Sequence, residues 1–110
     1  MIDQAIVVRC RAKLIDVARK RQRISYGELA KHLGVANQSV GLYLDAIYEG
    51  EIRVGRLPDL TLVVVYSRTR YGRFNSRGFT TRTKTVDPKN AIDVRDYEAE
   101  LAQVYAYPWQ

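Results

Sequence analysis

The sequence is poor in several residues, and each scarcity excludes a class of protein. One cysteine and one histidine among 110 residues exclude an internal disulfide framework and a four-ligand structural zinc site. Seven glycines and three prolines beside 46% hydrophobic residues are not the composition of a disordered chain. No apolar run approaches the roughly 18 residues of a membrane span, and the first residues lack the features of a signal peptide. We expect one folded domain over residues 1–110, located in the cytoplasm or nucleoid, with neither a metal nor another cofactor.

What the chain does have is an excess of positive charge. Lysine and arginine number 18 against 12 aspartates and glutamates, a formal net charge of +6. The excess is uneven: residues 1–23 carry a net +5 and residues 53–90 a net +7, whereas residues 24–52 and 91–110 each carry −3. Segment charges of this size exceed what solubility requires, and they favour a polyanionic partner.

Residues 1–23 have the spacing of a basic amphipathic helix of about five turns. Its apolar positions recur at steps of three and four: Ile2, Ile6, Cys10, Leu14 and Val17. Because Cys10 falls on the apolar side, we expect its thiol to pack as a small hydrophobic group. Cations at the end of the segment are candidates for phosphate contacts: Arg19, Lys20, Arg21 and Arg23.

Residues 25–50 predict two short helices joined by a tight turn. Ser25 and Glu28 have the spacing of a capping box, which predicts a helix beginning at Tyr26. Gly34 is the residue type that takes a left-handed conformation after a last helical turn. Asn37 can cap the second helix, which we expect to end near Gly50.

These residues resemble the helix-turn-helix family. Counting from Tyr26, that family has a small residue at the fifth position, glycine at the ninth and an aliphatic residue at the fifteenth; this chain has Ala30, Gly34 and Val40. The buried fourth, eighth and tenth positions also match, with Leu29, Leu33 and Val35. Tyr43 departs from the pattern, since a smaller aliphatic residue is usual there. A helical hairpin without a nucleic-acid function is the alternative interpretation.

After these two predicted helices, the spacing of the apolar residues is no longer that of a helix. The β-branched run Leu60–Tyr66 predicts a strand covered on both faces, and the alternating segment Phe79–Val86 predicts a second one. A hairpin over residues 60–86, enclosing a basic loop at residues 67–78, resembles the wing of a winged helix. A closing helix is predicted over residues 93–106, with Asp93 as its cap. The predicted fold class is therefore α+β, a winged helix-turn-helix with three N-terminal helices, a β-hairpin wing and a C-terminal helix.

Residues 20–66 also resemble the DNA-binding domain of alkylguanine alkyltransferases and alkyltransferase-like proteins. The likeness lies in the Tyr26-Gly27 helix start, in the run from Gln38 to Gly41, and in Leu57-Pro58 before a strand. Gln38 stands where the family has its base-flipping arginine, and Asp59-Leu60-Thr61 replaces the active-site Cys-His-Arg. Without that cysteine no alkyl group can be accepted, so the resemblance implies the architecture and not the transferase activity.

If the two helices dock as their family does, the start of the second one enters the major groove. The candidate DNA-binding residues there are Asn37, Gln38, Ser39 and Leu42. Asn and Gln amides can pair with N6 and N7 of adenine. For Asn37, a role as a helix cap only is an equally open interpretation. No Arg or Lys lies between Asn37 and Glu49, so phosphate contacts must come from elsewhere. The basic loop offers Arg68, Arg70, Tyr71, Arg73 and Arg77, unless it is only a solvated hairpin tip.

The sequence thus predicts a non-catalytic protein that binds double-stranded DNA, as a transcriptional regulator or an architectural factor. We expect no enzyme, because the sequence offers no plausible nucleophile, metal cluster or phosphate-binding loop. Two alternatives stay open. One is a protein-interaction module that uses the acidic second helix with Leu42 and Tyr48 exposed, and the other is a binder of structured RNA. Homodimerisation through the last helix is open as well.

Overall fold

The structure, a computed structural model, describes residues 2–65, 79–80, 85–86 and 90–110. The described chain is mostly helical and of α+β class, which confirms the predicted class. Its α-helices are α1 (Gln4–Arg19), α2 (Tyr26–Leu33), α3 (Asn37–Ile47) and α4 (Ala91–Ala106). Its strands are β1 (Ile24–Ser25), β2 (Val64–Val65), β3 (Phe79–Thr80) and β4 (Thr85–Val86). None of the helices described is long and apolar enough to cross a membrane.

The first helix is amphipathic as predicted, but it is shorter than residues 1–23. It begins after Asp3, whose carboxylate accepts a hydrogen bond from the Ala5 N–H at 2.9 Å, and it ends at Arg19. Arg21 then takes a left-handed conformation with φ of 53°, which turns the chain toward β1. The inner face is buried, and it consists of Cys10, Leu14, Ile15, Val17 and Ala18.

Both ends of α2 are as predicted, because local hydrogen bonds determine them. The Ser25 hydroxyl accepts from the Glu28 N–H at 3.1 Å, and the Glu28 carboxylate accepts from the Ser25 N–H at 3.4 Å. At the other end Gly34 has φ of +71°, and the Val35 N–H donates to the Ala30 carbonyl at 3.1 Å. This pattern is a Schellman motif, which ends the helix and reverses the chain.

Both predicted ends of the next helix are wrong. Ala36, not Asn37, is the extended residue that precedes α3, so Asn37 is the first helical residue and does not cap the helix. The chain also continues past Gly50, as a π-helical segment over Tyr48–Val54. It leaves the helix at Gly55, where an added Cβ would lie 2.6 Å from the Glu51 carbonyl oxygen. Gly55, rather than Gly50, is therefore the glycine that the turn requires.

The predicted strand Leu60–Tyr66 is mostly wrong. Leu60–Val63 form a 3₁₀ turn that starts at Asp59, whose carboxylate accepts from the Thr61 N–H at 3.1 Å. Only Val64–Val65 are extended within the described part of this run. Every residue from 60 to 65 is buried, as predicted, and a fully buried apolar run does not distinguish a strand from a buried helical turn.

The predicted hairpin over residues 60–86 is also wrong. β2 pairs with β1 in parallel, Ile24 opposite Val64 and Ser25 opposite Val65. β3 and β4 pair antiparallel with each other, so the predicted second strand is two short strands. The apolar β2 instead joins β1 in the core, next to α2. The basic loop, residues 67–78, lies outside the described residues.

The last helix closes the core over the buried 60–65 segment. It begins at Ala91 and is capped by Asn90, whose side chain accepts from the N–H groups of Ile92 and Asp93 at 3.0 and 3.2 Å; the predicted cap, Asp93, is wrong. The Tyr97 hydroxyl donates to the Leu62 carbonyl at 3.0 Å. Beyond the helix, Trp109 is only 3% exposed and its indole N–H donates to the Val104 carbonyl at 2.8 Å.

Candidate nucleic-acid interface

The segment from α2 to α3 buries the apolar positions that the sequence pattern predicts to face inward. The positions that the family buries are buried here: Leu29, Ala30, Leu33 and Val40, with Val35 half-buried. Tyr43, the departure from the family, is accommodated in the core, and its hydroxyl accepts from the Asp3 N–H at 3.5 Å. The turn between the helices consists of Gly34, Val35 and Ala36 only. This packing fixes which side of α3 faces outward.

The outward side of α3 carries the predicted base-reading residues. Asn37 and Gln38 are exposed, Ser39 is half-buried, and Leu42 is 54% exposed. Gln38 and Leu42 are four residues apart, so they are neighbours on the same helical face. Neither the Asn37 nor the Gln38 side chain makes a hydrogen bond with another described residue. Since Asn37 does not cap the helix, both amides can pair with an external group.

The acidic side chains around α3 are engaged within the chain. Glu49 pairs with Arg53 at 2.6 Å, and Glu51 pairs with Arg11. Glu28 belongs to the capping box, and Asp45 also has an interaction within the chain. The net charge of −3 over residues 24–52 therefore overstates the negative charge that a partner would meet.

The cations of the first segment are engaged as well, which the sequence did not reveal. Of the seven in residues 1–23, six have a partner within the chain. Arg9 donates to the His32 carbonyl, Arg11 to Glu51 and the Gln110 carbonyl, Arg19 to the Trp109 carbonyl and Lys20 to Asp16. Arg21 lies over the Tyr105 ring, and Arg23 interacts electrostatically with Tyr97. Arg11 and Arg19 therefore hold the C-terminal residues against α1. The engaged cations of residues 1–23 are poor candidates for the phosphate contacts that we expected from this segment.

Burial shifts the pKa of two groups in the described core, Cys10 and Tyr97. Burial raises the pKa of the Cys10 thiol from 9.0 to about 12, so the thiol is protonated and unreactive at neutral pH. Burial also raises the pKa of Tyr97, and the neighbouring Arg23 opposes this shift. His32, the one histidine, is exposed near the end of α2. Within the described ranges, no three His, Cys, Asp or Glu side chains are grouped to hold a metal ion.

One cation near the helix-turn-helix escaped the sequence reasoning. Arg9, on α1, donates through its guanidinium to the carbonyl of His32 at 3.1 Å, in the last turn of α2. No local pattern signals a contact between residues so far apart in sequence. The predicted basic-loop residues, by contrast, lie outside the described residues: Arg68, Arg70, Tyr71, Arg73 and Arg77.

No protein-family model matches the chain, and neither a curated protein nor a solved structure is significantly similar to it. The case for a nucleic-acid interface therefore depends on the side chains and geometry of α2, the turn and α3, and on the charge of the basic loop.

Proposed function

We propose that this chain is a non-catalytic helix-turn-helix protein that binds double-stranded DNA in the nucleoid. α3 enters the major groove, and the basic loop contacts phosphates or the minor groove. The observation that carries the proposal is the exposed side of α3, where Asn37, Gln38 and Leu42 face outward without partners in the described chain. A transcriptional regulator and an architectural factor both fit this arrangement.

The charge distribution supports a division of roles between the two parts. α3 has no Arg or Lys, and most cations of residues 1–23 are engaged within the chain. The basic loop holds four arginines, so the proposal assigns the phosphate contacts to it. If each of the four arginines neutralises one phosphate, log K should fall with log salt at a slope of about −3.6.

Titration of duplex DNA at about 50 and 200 mM salt tests the proposal. We expect micromolar or tighter binding at the lower salt concentration, with a steep loss at the higher. Arg70→Glu should weaken binding by about tenfold or more, because it replaces a phosphate contact by a repulsion. Arg95→Glu makes the same charge change at an exposed position of α4 and should have a much smaller effect.

Two results would contradict the proposal. The first is no binding at the lower salt concentration, and the second is equal weakening by Arg70→Glu and Arg95→Glu. A duplex RNA of the same sequence serves as competitor. If it displaces the DNA at equal concentration, the chain binds structured RNA as readily, and the assignment to DNA is wrong.

Leu42 favours a second candidate function, a protein-interaction module. A leucine that is 54% exposed on the outward face of α3 suits an apolar partner surface as well as a DNA groove. Leu42→Asp should then release a stoichiometric partner that co-purifies with the chain. Val8→Asp is the matched control, because Val8 is also exposed but lies on α1. A partner retained by Leu42→Asp would rule this function out.

A further inference from the structure

We infer that α3 reads A·T base pairs, with Gln38 paired to adenine and Leu42 in contact with the 5-methyl group of thymine. The inference rests on the proposed function and adds to it the class of DNA sequence that the helix prefers. It starts from two neighbouring side chains of different chemistry, an amide and an aliphatic group, which are exposed on one face of α3.

The spacing of these two residues suits nearby base pairs. Gln38 and Leu42 are four residues apart, which corresponds to about 6 Å along a helix axis. Base pairs of B-DNA are about 3.4 Å apart, so this separation is just under two base-pair steps, and the two side chains reach base pairs one or two steps apart. The major groove of B-DNA is wide and deep enough to admit an α-helix, so side chains on its inner face can reach the base edges. One face of α3 can thus contact both strands of a short A·T run.

The polar chemistry of α3 selects adenine over the other bases. A Gln or Asn amide has one donor and one acceptor side, which match N7 and the N6 amino group of adenine. Guanine presents two acceptors in the major groove and is read mostly by Arg or Lys, which α3 does not contain. Asn37 adds a second amide at the start of the helix, because Ala36 takes the capping position instead.

The carboxylates of α3 and the segment after it, which could accept from the amino group of cytosine, have partners within the chain and follow Leu42 in sequence. Glu49 is paired with Arg53 at 2.6 Å, and Asp45 has an interaction within the chain. Leu42 lies between these acidic residues and Gln38 in sequence and offers only an apolar surface. In the major groove the 5-methyl of thymine is the one apolar group that complements it.

Four duplexes of about 20 base pairs test the inference by fluorescence anisotropy at low salt. The first contains mixed A·T pairs and the second G·C pairs. The third replaces thymine by deoxyuridine, which removes only the 5-methyl. The fourth contains inosine–cytosine pairs, whose minor groove resembles that of A·T but whose major groove resembles that of G·C. We expect the A·T duplex to bind about 5- to 150-fold more tightly than the G·C duplex.

The deoxyuridine and inosine duplexes show which groups of the DNA the protein contacts. Loss of the methyl group should weaken binding about 4-fold in the wild-type protein and leave Leu42→Ala unaffected. The inosine duplex should bind as weakly as the G·C duplex; binding like the A·T duplex would mean readout in the minor groove and overturn the inference. Gln38→Ala should reduce the preference for A·T to the part that Leu42 and Asn37 supply, whereas Gln103→Ala, the same change at an exposed position of α4, should leave it unchanged.

Failure of this inference differs from failure of the proposed function. Equal affinity for the A·T and G·C duplexes overturns the reading of A·T pairs but leaves double-stranded DNA binding intact. No binding to any duplex overturns both. A deoxyuridine effect that persists in Leu42→Ala removes Leu42 from the readout, because the methyl group would then act through another residue or through duplex shape.

Discussion

α1 and α3 differ in a way that their sequences conceal. α1 is rich in cations, yet Arg9, Arg11 and Arg19 each donate to a group within the chain. α3 has no cation, yet its exposed amides have no partner among the described residues. The number of charges in a segment therefore does not measure how many are available to a partner. Tertiary contacts occupy most cations of the basic helix and leave the exposed amides of α3 without partners among the described residues.

The position of the C-terminal residues explains why arginines of α1 have partners within the chain. Trp109 is buried and anchors the chain after α4, which brings the carbonyls of Trp109 and Gln110 within reach of Arg19 and Arg11. Guanidinium groups that donate to carbonyls and carboxylates make charge-assisted hydrogen bonds, which are among the stronger ones in proteins. We infer that the arginines of α1 mainly stabilise the fold.

Removal of the Trp109 side chain should break this arrangement and have the largest effect. Trp109→Ala removes a buried aromatic ring and its hydrogen bond to Val104, so the free energy of unfolding should fall by about 3–5 kcal/mol. Chemical denaturation of the variant measures this. Tyr107→Ala, at a more exposed ring of the same segment, should cost much less. A loss below about 1 kcal/mol for Trp109→Ala would mean that the segment does not stabilise the fold.

A crossed pair of variants tests the comparison between the helices directly. Arg11→Ala leaves the half-buried Glu51 without its cation and should lower stability by about 1–2 kcal/mol, while DNA affinity stays within about twofold. Asn37→Ala with Gln38→Ala should do the reverse: stability within about 0.5 kcal/mol of wild type, with weaker DNA binding. Denaturation and anisotropy on the same samples measure both quantities. If Arg11→Ala weakens DNA binding more than the double variant does, the division of roles is wrong.

The buried Cys10 on the inward side of α1 predicts that the stability of the fold depends on pH in the alkaline range. Burial raises the pKa of the Cys10 thiol from 9.0 to about 12, so above pH 9 the unfolded chain releases a proton that the folded chain keeps. Stability should therefore be unaffected by this group below pH 9 and fall by up to about 1.4 kcal/mol per pH unit between 9 and 12. Cys10→Ala should show a shallower loss over that window. An identical pH profile in the two proteins would contradict the assignment.

Local signals in the sequence predicted both ends of α2 well. The capping box at Ser25 and the left-handed Gly34 depend on hydrogen bonds within a few residues, so the sequence determines them directly. The start of α3 differed by one residue: Ala36 is the extended residue before the helix, and its methyl side chain makes no capping hydrogen bond. That small difference matters for function, since it releases the Asn37 side chain from a capping role.

Contacts distant in sequence could not be predicted. The parallel pairing of β1 with β2 and the partners of Arg11 and Arg19 depend on how the helices pack, and no pattern of residue spacing encodes them. The segment before β2 shows the same limit, because a run of buried apolar residues fits a strand and a 3₁₀ turn equally well. The charge of the basic loop is a property of the sequence, and its role stays a prediction.

A substitution in the turn before α3 has the smallest expected effect on stability. Gly34 has φ of +71°, and a Cβ there would meet nothing within 4 Å, so Gly34→Ala should cost only the strain of a left-handed backbone, about 1 kcal/mol. Gly50 also has open space but lies in a helical segment, so Gly50→Ala should be neutral or slightly stabilising. Thermal denaturation of the two variants separates strain from crowding, because only the backbone conformation differs. If both variants lose equal stability, the left-handed turn does not hold α3 in place, and the shape of its exposed face must depend on the core beneath it.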